Sequence, residues 1–131
     1  VDLKGTVLKP NMIVPGSKCS NKTSSEEIAK KTLDCLKKNV PEDVPGIAFL
    51  SGGQPEIEAS KNLNEINKIN DTNFLITFSY GRGLQASALK AFGKNLNDMK
   101  KIQEVFAHRA KMNGLSSKGE WSENLEKEAV A

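Results

Sequence analysis

Ile47-Ala48-Phe49-Leu50-Ser51-Gly52-Gly53 is the stretch on which the fold turns. Its apolar run is too short for a helix, is introduced by Pro45-Gly46 and stops at two glycines, so it reads as a fully buried strand. Continuous rather than alternating apolar strands belong to parallel sheets covered by helices. Downstream, Pro55 stands where a first-turn proline is tolerated, and Ala59, Leu63 and Ile66 continue at helical spacing. A second buried strand, Phe74–Phe78, ends in Ser79-Tyr80-Gly81-Arg82-Gly83. A helical stretch around Leu84–Phe92 follows, then a longer helix with Leu96, Met99, Ile102, Phe106 and Ala110 on one face. Upstream, Ser24-Ser25-Glu26-Glu27 has the form of a capping box, in which Ser24 takes a backbone N–H and Glu27 reaches back. The helix it opens carries Ala29, Leu33, Leu36 and Val40, and Pro41 and Pro45-Gly46 end it. Before it, residues 5–9 form a short strand with β-branched members, stopped by Pro10 and followed by the Pro15-Gly16 turn.

Strand and helix therefore alternate three times, which means an α/β fold with a parallel sheet. A doubly wound sheet and a (β/α)8 (TIM) barrel both fit this order. Three strands complete neither, and a barrel needs about 250 residues, so 131 residues could supply only its last segments. Residues 1–115 are expected to form the folded unit, and the polar residues 116–131 a flexible C-terminal tail.

Composition narrows the function. A chain that is 37% hydrophobic and 27% charged is one ordinary soluble globular unit. No run approaches the ~20 apolar residues of a membrane span, and the opening VDLKGTVLKP lacks the pattern of a secretory signal. Val1 leads directly into apolar sequence without an initiator methionine, as in a chain cut from a longer one. A net charge of +3 is too mild to suggest nucleic acid, and Lys30-Lys31, Lys37-Lys38 and Lys100-Lys101 read as solvated helix faces. Cys19 and Cys35 form no CxxC pair and there is one histidine, so no metal or other cofactor is expected. Two unpaired thiols fit a reducing, cytoplasmic setting.

In parallel α/β folds, chemistry gathers at the carboxyl ends of the strands. Here those ends carry Lys9, then Ser51-Gly52-Gly53, then Ser79 with Gly81 and Arg82. Glycines let backbone N–H groups face an anion, a helix N-terminus adds favourable dipole charge, and Arg82 supplies a forked donor matched to phosphate oxygens. An ordinary strand-to-helix turn and a surface arginine would leave the same residues. The arginine, however, is poorly placed at a helix start unless an anion is nearby. Lys9 ends a strand expected to be buried, where desolvation disfavours the ammonium and a neutral amine can attack a carbonyl. A lysine snorkelling to the rim is the alternative.

The run Val1-Asp2-Leu3-Lys4-Gly5-Thr6-Val7-Leu8-Lys9-Pro10-Asn11 resembles the active-site signature of class I fructose-1,6-bisphosphate aldolases. Phe49-Leu50-Ser51-Gly52-Gly53-Gln54 and Thr77-Phe78-Ser79-Tyr80-Gly81-Arg82 match the same family in order and spacing, as do Glu56, Glu58-Ala59-Ser60, Asn62-Leu63-Asn64 and Leu84–Lys90. The match covers nearly all of residues 1–115 and corresponds to about the last third of the family's chain. The resemblance implies strands 6 to 8 of a (β/α)8 barrel, completed by a missing N-terminal part that supplies the catalytic carboxylates and a second lysine. It implies that Lys9 condenses with the ketone of fructose 1,6-bisphosphate. Ser51, Gly52, Gly53, Ser79, Gly81 and Arg82 would hold a phosphate of that phosphorylated sugar. The reaction would be cleavage to two triose phosphates in glycolysis and gluconeogenesis, in a homotetramer without a metal.

Two departures stand out. Lys4 replaces the family's glutamate at the end of the strand opposite Lys9. The family's terminal tyrosine is also absent, Tyr80 being the only tyrosine. These departures and the chain's length keep a second reading open, a non-catalytic aldolase-like binding or structural segment. On either reading these residues alone are not expected to turn over substrate.

Overall fold

In the computed structural model, residues 1–127 are described. Three parallel strands lie side by side in sequence order, β1 (Val7–Leu8), β2 (Gly46–Phe49) and β3 (Leu75–Phe78). Val7 pairs with Gly46 and Gly46 with Leu75, while Phe49 pairs with Phe78. The helices are α1 (Ser25–Asn39), α2 (Glu56–Lys68), α3 (Arg82–Lys94), α4 (Met99–Ser116) and the short α5 (Glu123–Lys127). None of the described helices is long and apolar enough to cross a membrane.

Because side chains alternate along a strand, Ile47 and Phe49 share one face of the sheet with their partners Ile76 and Phe78. That face forms the core with Ile28, Ala29, Leu33 and Leu36 of α1 and Ala59, Leu63 and Ile66 of α2. The opposite face carries Val7, Gly46 and Leu75 in one row, and Val7 and Leu75 are 66% and 77% exposed. No described helix fills it. The strands are therefore not buried on both faces as expected, because within this chain only one face of the sheet has a covering layer.

Four further expectations change. Residues 5–9 do not form one strand, since Leu3–Gly5 is a 3-10 turn. The Asp2 side chain accepts from the Lys4 N–H, and Thr6 donates through both N–H (3.1 Å) and hydroxyl (2.7 Å) to the Leu3 carbonyl. Such local bonds compete with extended backbone, so Gly5 leaves the strand and β1 keeps two residues. At α1, Ser24 caps the Glu27 N–H as expected, but Glu27 pairs with Lys31 at 2.8 Å instead of reaching back.

On α4 the buried residues are Arg109, Met112, Asn113 and Ser116, while Met99 and Phe106 are exposed, as is Leu96, which lies before the helix begins. This helix docks through a hydrogen-bonded polar face, with Ser60 Oγ donating to Asn113 Oδ1 at 2.6 Å and Asn67 Nδ2 donating to the Ser116 carbonyl at 3.2 Å. Hydrophobic spacing cannot reveal such a face. The expected flexible tail is also docked as far as it is described. Ser116 and Trp121 are buried, and the Trp121 backbone N–H donates to Asn64 Oδ1 at 2.9 Å. Residues 128–131 of that tail lie outside the described residues.

Candidate active site

Parallel pairing puts the carboxyl ends of all three strands at one edge of the sheet. Two backbone bonds extend the alignment past the strands. The Leu50 N–H donates to the Pro10 carbonyl at 3.0 Å, and the Ser79 N–H to the Phe49 carbonyl at 2.8 Å. Lys9, the Ser51-Gly52-Gly53 turn and the Ser79–Arg82 turn thus emerge together.

The central turn has a conformation only glycine accepts readily. Gly52 and Gly53 lie at φ +57° and +82°. A Cβ on Gly52 would stand 2.5 Å from Asn11 Oδ1, so the residue two beyond Lys9 seats its side chain directly on the turn. A Cβ on Gly53 would lie 3.5 Å from Arg82 Nη2, so the guanidinium covers that glycine from the β3 side. Ser51 is buried, and its hydroxyl accepts the Gly83 N–H at 3.3 Å. The three strand ends are thereby stitched through side chains as well as by the sheet.

Arg82 brings a positive charge to this edge. Helix α3 opens with Arg82, has no acidic residue in its first turn, and its N-cap Gly81 offers no side-chain acceptor. Arg82 has no hydrogen-bond or ion-pair partner among the described residues. A cation held beside a helix N-terminus is electrostatically favourable only with an anion between them. The amides of Gly52 and Gly53 likewise make no hydrogen bond among the described residues, which leaves donors available beside the guanidinium.

Gly52, Gly53, Ser51, Gly81 and Arg82 are brought together, and Ser79 is exposed on the same turn. Lys9 follows β1 directly but is exposed, so this chain does not supply the burial expected for it. Asn11 and Gly83 were not singled out from sequence as site residues. Gly83 had a visible signal in Gly81-Arg82-Gly83, whereas Asn11 had none beyond its nearness to Lys9. Tyr80 points away from the edge into the core, where its hydroxyl donates to the Ala59 carbonyl at 3.0 Å and burial pushes its pKa well up.

Behind the edge lies a buried polar cluster. Arg109, 4% exposed, donates from both Nη atoms to Glu126, at 2.9 and 2.8 Å, and from Nη1 to Ser60 at 3.1 Å. His108 lies 3.3 Å from Glu126, and Trp121 Nε1 donates to the same carboxylate at 2.8 Å. Burial pushes the Glu126 carboxyl up, but the hydrogen bonds from Arg109 and Trp121 and the charge of Arg109 outweigh it and hold it below the usual carboxylate range.

A depressed folded value means the ionised carboxylate stabilises the fold. That contribution is complete above its ordinary value of 4.5 and is lost as pH falls through the lower folded one. Trp121 is the chain's single tryptophan and reports on this directly. Its emission is expected to hold through neutral and mildly acidic pH and to shift red only as pH falls below 4.5. A transition complete well above 4.5 would show that the Glu126 carboxylate does not carry the clamp.

A family model for class I fructose-bisphosphate aldolase, a glycolytic family, matches residues 1–131. The chain is 54% identical over 123 residues to fructose-bisphosphate aldolase B of Sparus aurata and 51% identical over 122 residues to fructose-bisphosphate aldolase C of Rattus norvegicus. Each alignment covers 92% of this chain and 34% of the relative, so the chain spans about a third of the length of these curated relatives. Among solved structures, fructose-bisphosphate aldolase from Plasmodium falciparum superposes with a TM-score of 0.89 at 43% identity, covering 93% of this chain and 35% of that one.

Proposed function

Since the chain belongs to the class I fructose-bisphosphate aldolase family, we propose that it forms the last three strand-helix units of a (β/α)8 aldolase barrel. In this reading it carries the Schiff-base lysine and one phosphate site of an enzyme that cleaves fructose 1,6-bisphosphate. The observation that supports it most is the meeting of Arg82 with the Gly52-Gly53 turn at the edge where Lys9 emerges.

Lys9 attacks the substrate ketone and, after loss of water, forms an iminium. The iminium withdraws electrons from the neighbouring C–C bond. When that bond breaks, the carbanion left behind is stabilised and the aldehyde product departs as glyceraldehyde 3-phosphate. Protonation and hydrolysis then release glycerone phosphate and restore the amine. Arg82, Ser51, Ser79 and the glycine amides hold the phosphate so that the ketone lies against Lys9, which converts binding into orientation. The open face bearing Val7 and Leu75 becomes the barrel interior once the preceding strands close around it, and that closure supplies the burial Lys9 lacks here. Those strands also bring the acid–base groups, worth typically 10²–10⁴-fold. The working enzyme is then a cytoplasmic homotetramer, and this chain by itself is inactive.

Arg82→Ala in the complete enzyme removes a charge-assisted donor worth roughly 1.5–3 kcal/mol. A tenfold or greater loss of affinity for phosphorylated substrate is expected, with thermal stability little changed. Binding equal to that of the unmodified enzyme would show that Arg82 does not face the phosphate.

A further inference from the structure

We propose that Glu56 is a positioning residue that braces the two halves of the phosphate cradle at a fixed spacing; this rests on the reading of that cradle given above. Glu56 opens α2, three residues after Gly53, and Ser87 lies five residues into the helix that Arg82 opens. The Glu56 carboxylate accepts the Ser87 backbone N–H at 3.2 Å and also the Ser87 hydroxyl. One side chain thereby ties the helix that follows the glycine turn to the helix that starts with the guanidinium.

The brace is built for rigidity. The Glu56 side chain is 16% exposed, and Arg109, 4% exposed, stands 3.7 Å from it as counterion. Arg109 is itself held by Ser60 of α2 and by Glu126. A partly desolvated carboxylate with two donors and a fixed cation has little freedom to follow another geometry. At the far end of the same two segments, Ser51 Oγ accepts the Gly83 N–H. Two ties, one at the cradle and one behind it, therefore set where Arg82 stands over Gly53. No polar contact joins Glu56 to Lys9, Ser79 or Arg82, so it acts through the helices. Displacements of about 1 Å in such sites cost on the order of 10²-fold.

A carboxylate that merely stabilised the helix start would affect all ligands alike, whereas a brace of the cradle affects phosphate recognition selectively. The test uses the complete enzyme with Glu56→Ala, Glu56→Gln and Ser87→Ala. Borohydride trapping on Lys9 is titrated with dihydroxyacetone phosphate and with unphosphorylated dihydroxyacetone. Glu56→Ala is expected to raise the concentration of the phosphate ester needed for half-trapping by roughly tenfold and to leave trapping of the free ketone unchanged. Glu56→Gln keeps an acceptor for Ser87 and is expected to recover part of the loss. Ser87→Ala is expected to show the same selectivity more weakly, and it carries the test if Glu56→Ala does not fold. Equal losses for both ligands, or none in Glu56→Ala or Ser87→Ala, would overturn the proposal. Absence of trapping on Lys9 in the unmodified enzyme would instead overturn the functional reading on which it rests.

Discussion

Lys9→Ala in the complete enzyme is expected to lower kcat by at least roughly three orders of magnitude, because the covalent route disappears with the amine. Lys9→Arg should lose as much, since a guanidinium keeps the charge but is not deprotonated in proteins. Phosphate-ester binding should persist in both variants through Arg82 and the Gly52-Gly53 turn. Loss of turnover with retained binding separates a nucleophile from a phosphate ligand. Variants that turn over at more than a tenth of the normal rate would place the chemistry elsewhere. Lys9 adjoins the two-residue β1 and is exposed in this chain, so replacing it removes no packing that the described residues show.

Arg109→Met is expected to produce the largest loss of stability. Glu126 and Glu56 are only 7% and 16% exposed at their side chains, and both turn to Arg109. Removing one partner of a buried pair typically costs 3–5 kcal/mol, since a carboxylate is left desolvated without compensation. Thermal denaturation with Trp121 emission as the probe reads this directly. Glu126→Leu with Arg109→Met should recover part of the loss, because the Glu126 carboxylate is no longer desolvated without a counterion, while Glu56 still lacks its cation and the Trp121 indole N–H its acceptor. A single variant within 1 kcal/mol of the unmodified protein would show that the cluster is accessible to water.

The parts of this molecule that could be read from sequence are those governed by local rules. The apolar run into Gly52-Gly53 announces a strand followed by a glycine turn, and Ala59, Leu63 and Ile66 mark the buried stripe of α2, where all three are fully enclosed. Strand order follows from the alternation. Other features depend on partners distant in sequence. Asn113 and Ser116 look like surface residues until Ser60 and Asn67 are brought to them. The polar stretch after Ser116 looks loose until Asn64 receives the Trp121 N–H and Glu126 meets Arg109.

The candidate site divides the same way. Arg82 and the two glycines could be proposed from strand ends alone. The seating of Asn11 on Gly52 and the link from Glu56 to Ser87 arise only when strands and helices are side by side. Burial of Lys9 was expected because an apolar strand precedes it. The strand is apolar, but its open face has no covering layer within this chain, so hydrophobic sequence alone could not indicate how much of it this chain encloses.

On the proposed reading, Lys9 is the amine that takes up the substrate carbon chain. Borohydride reduction of the complete enzyme in the presence of dihydroxyacetone phosphate, followed by digestion and peptide mapping by mass, tests it directly. One added triose phosphate is expected on the peptide containing Leu8-Lys9-Pro10. Label on Lys4 or any other lysine, or no label under conditions where the enzyme turns over, would contradict it.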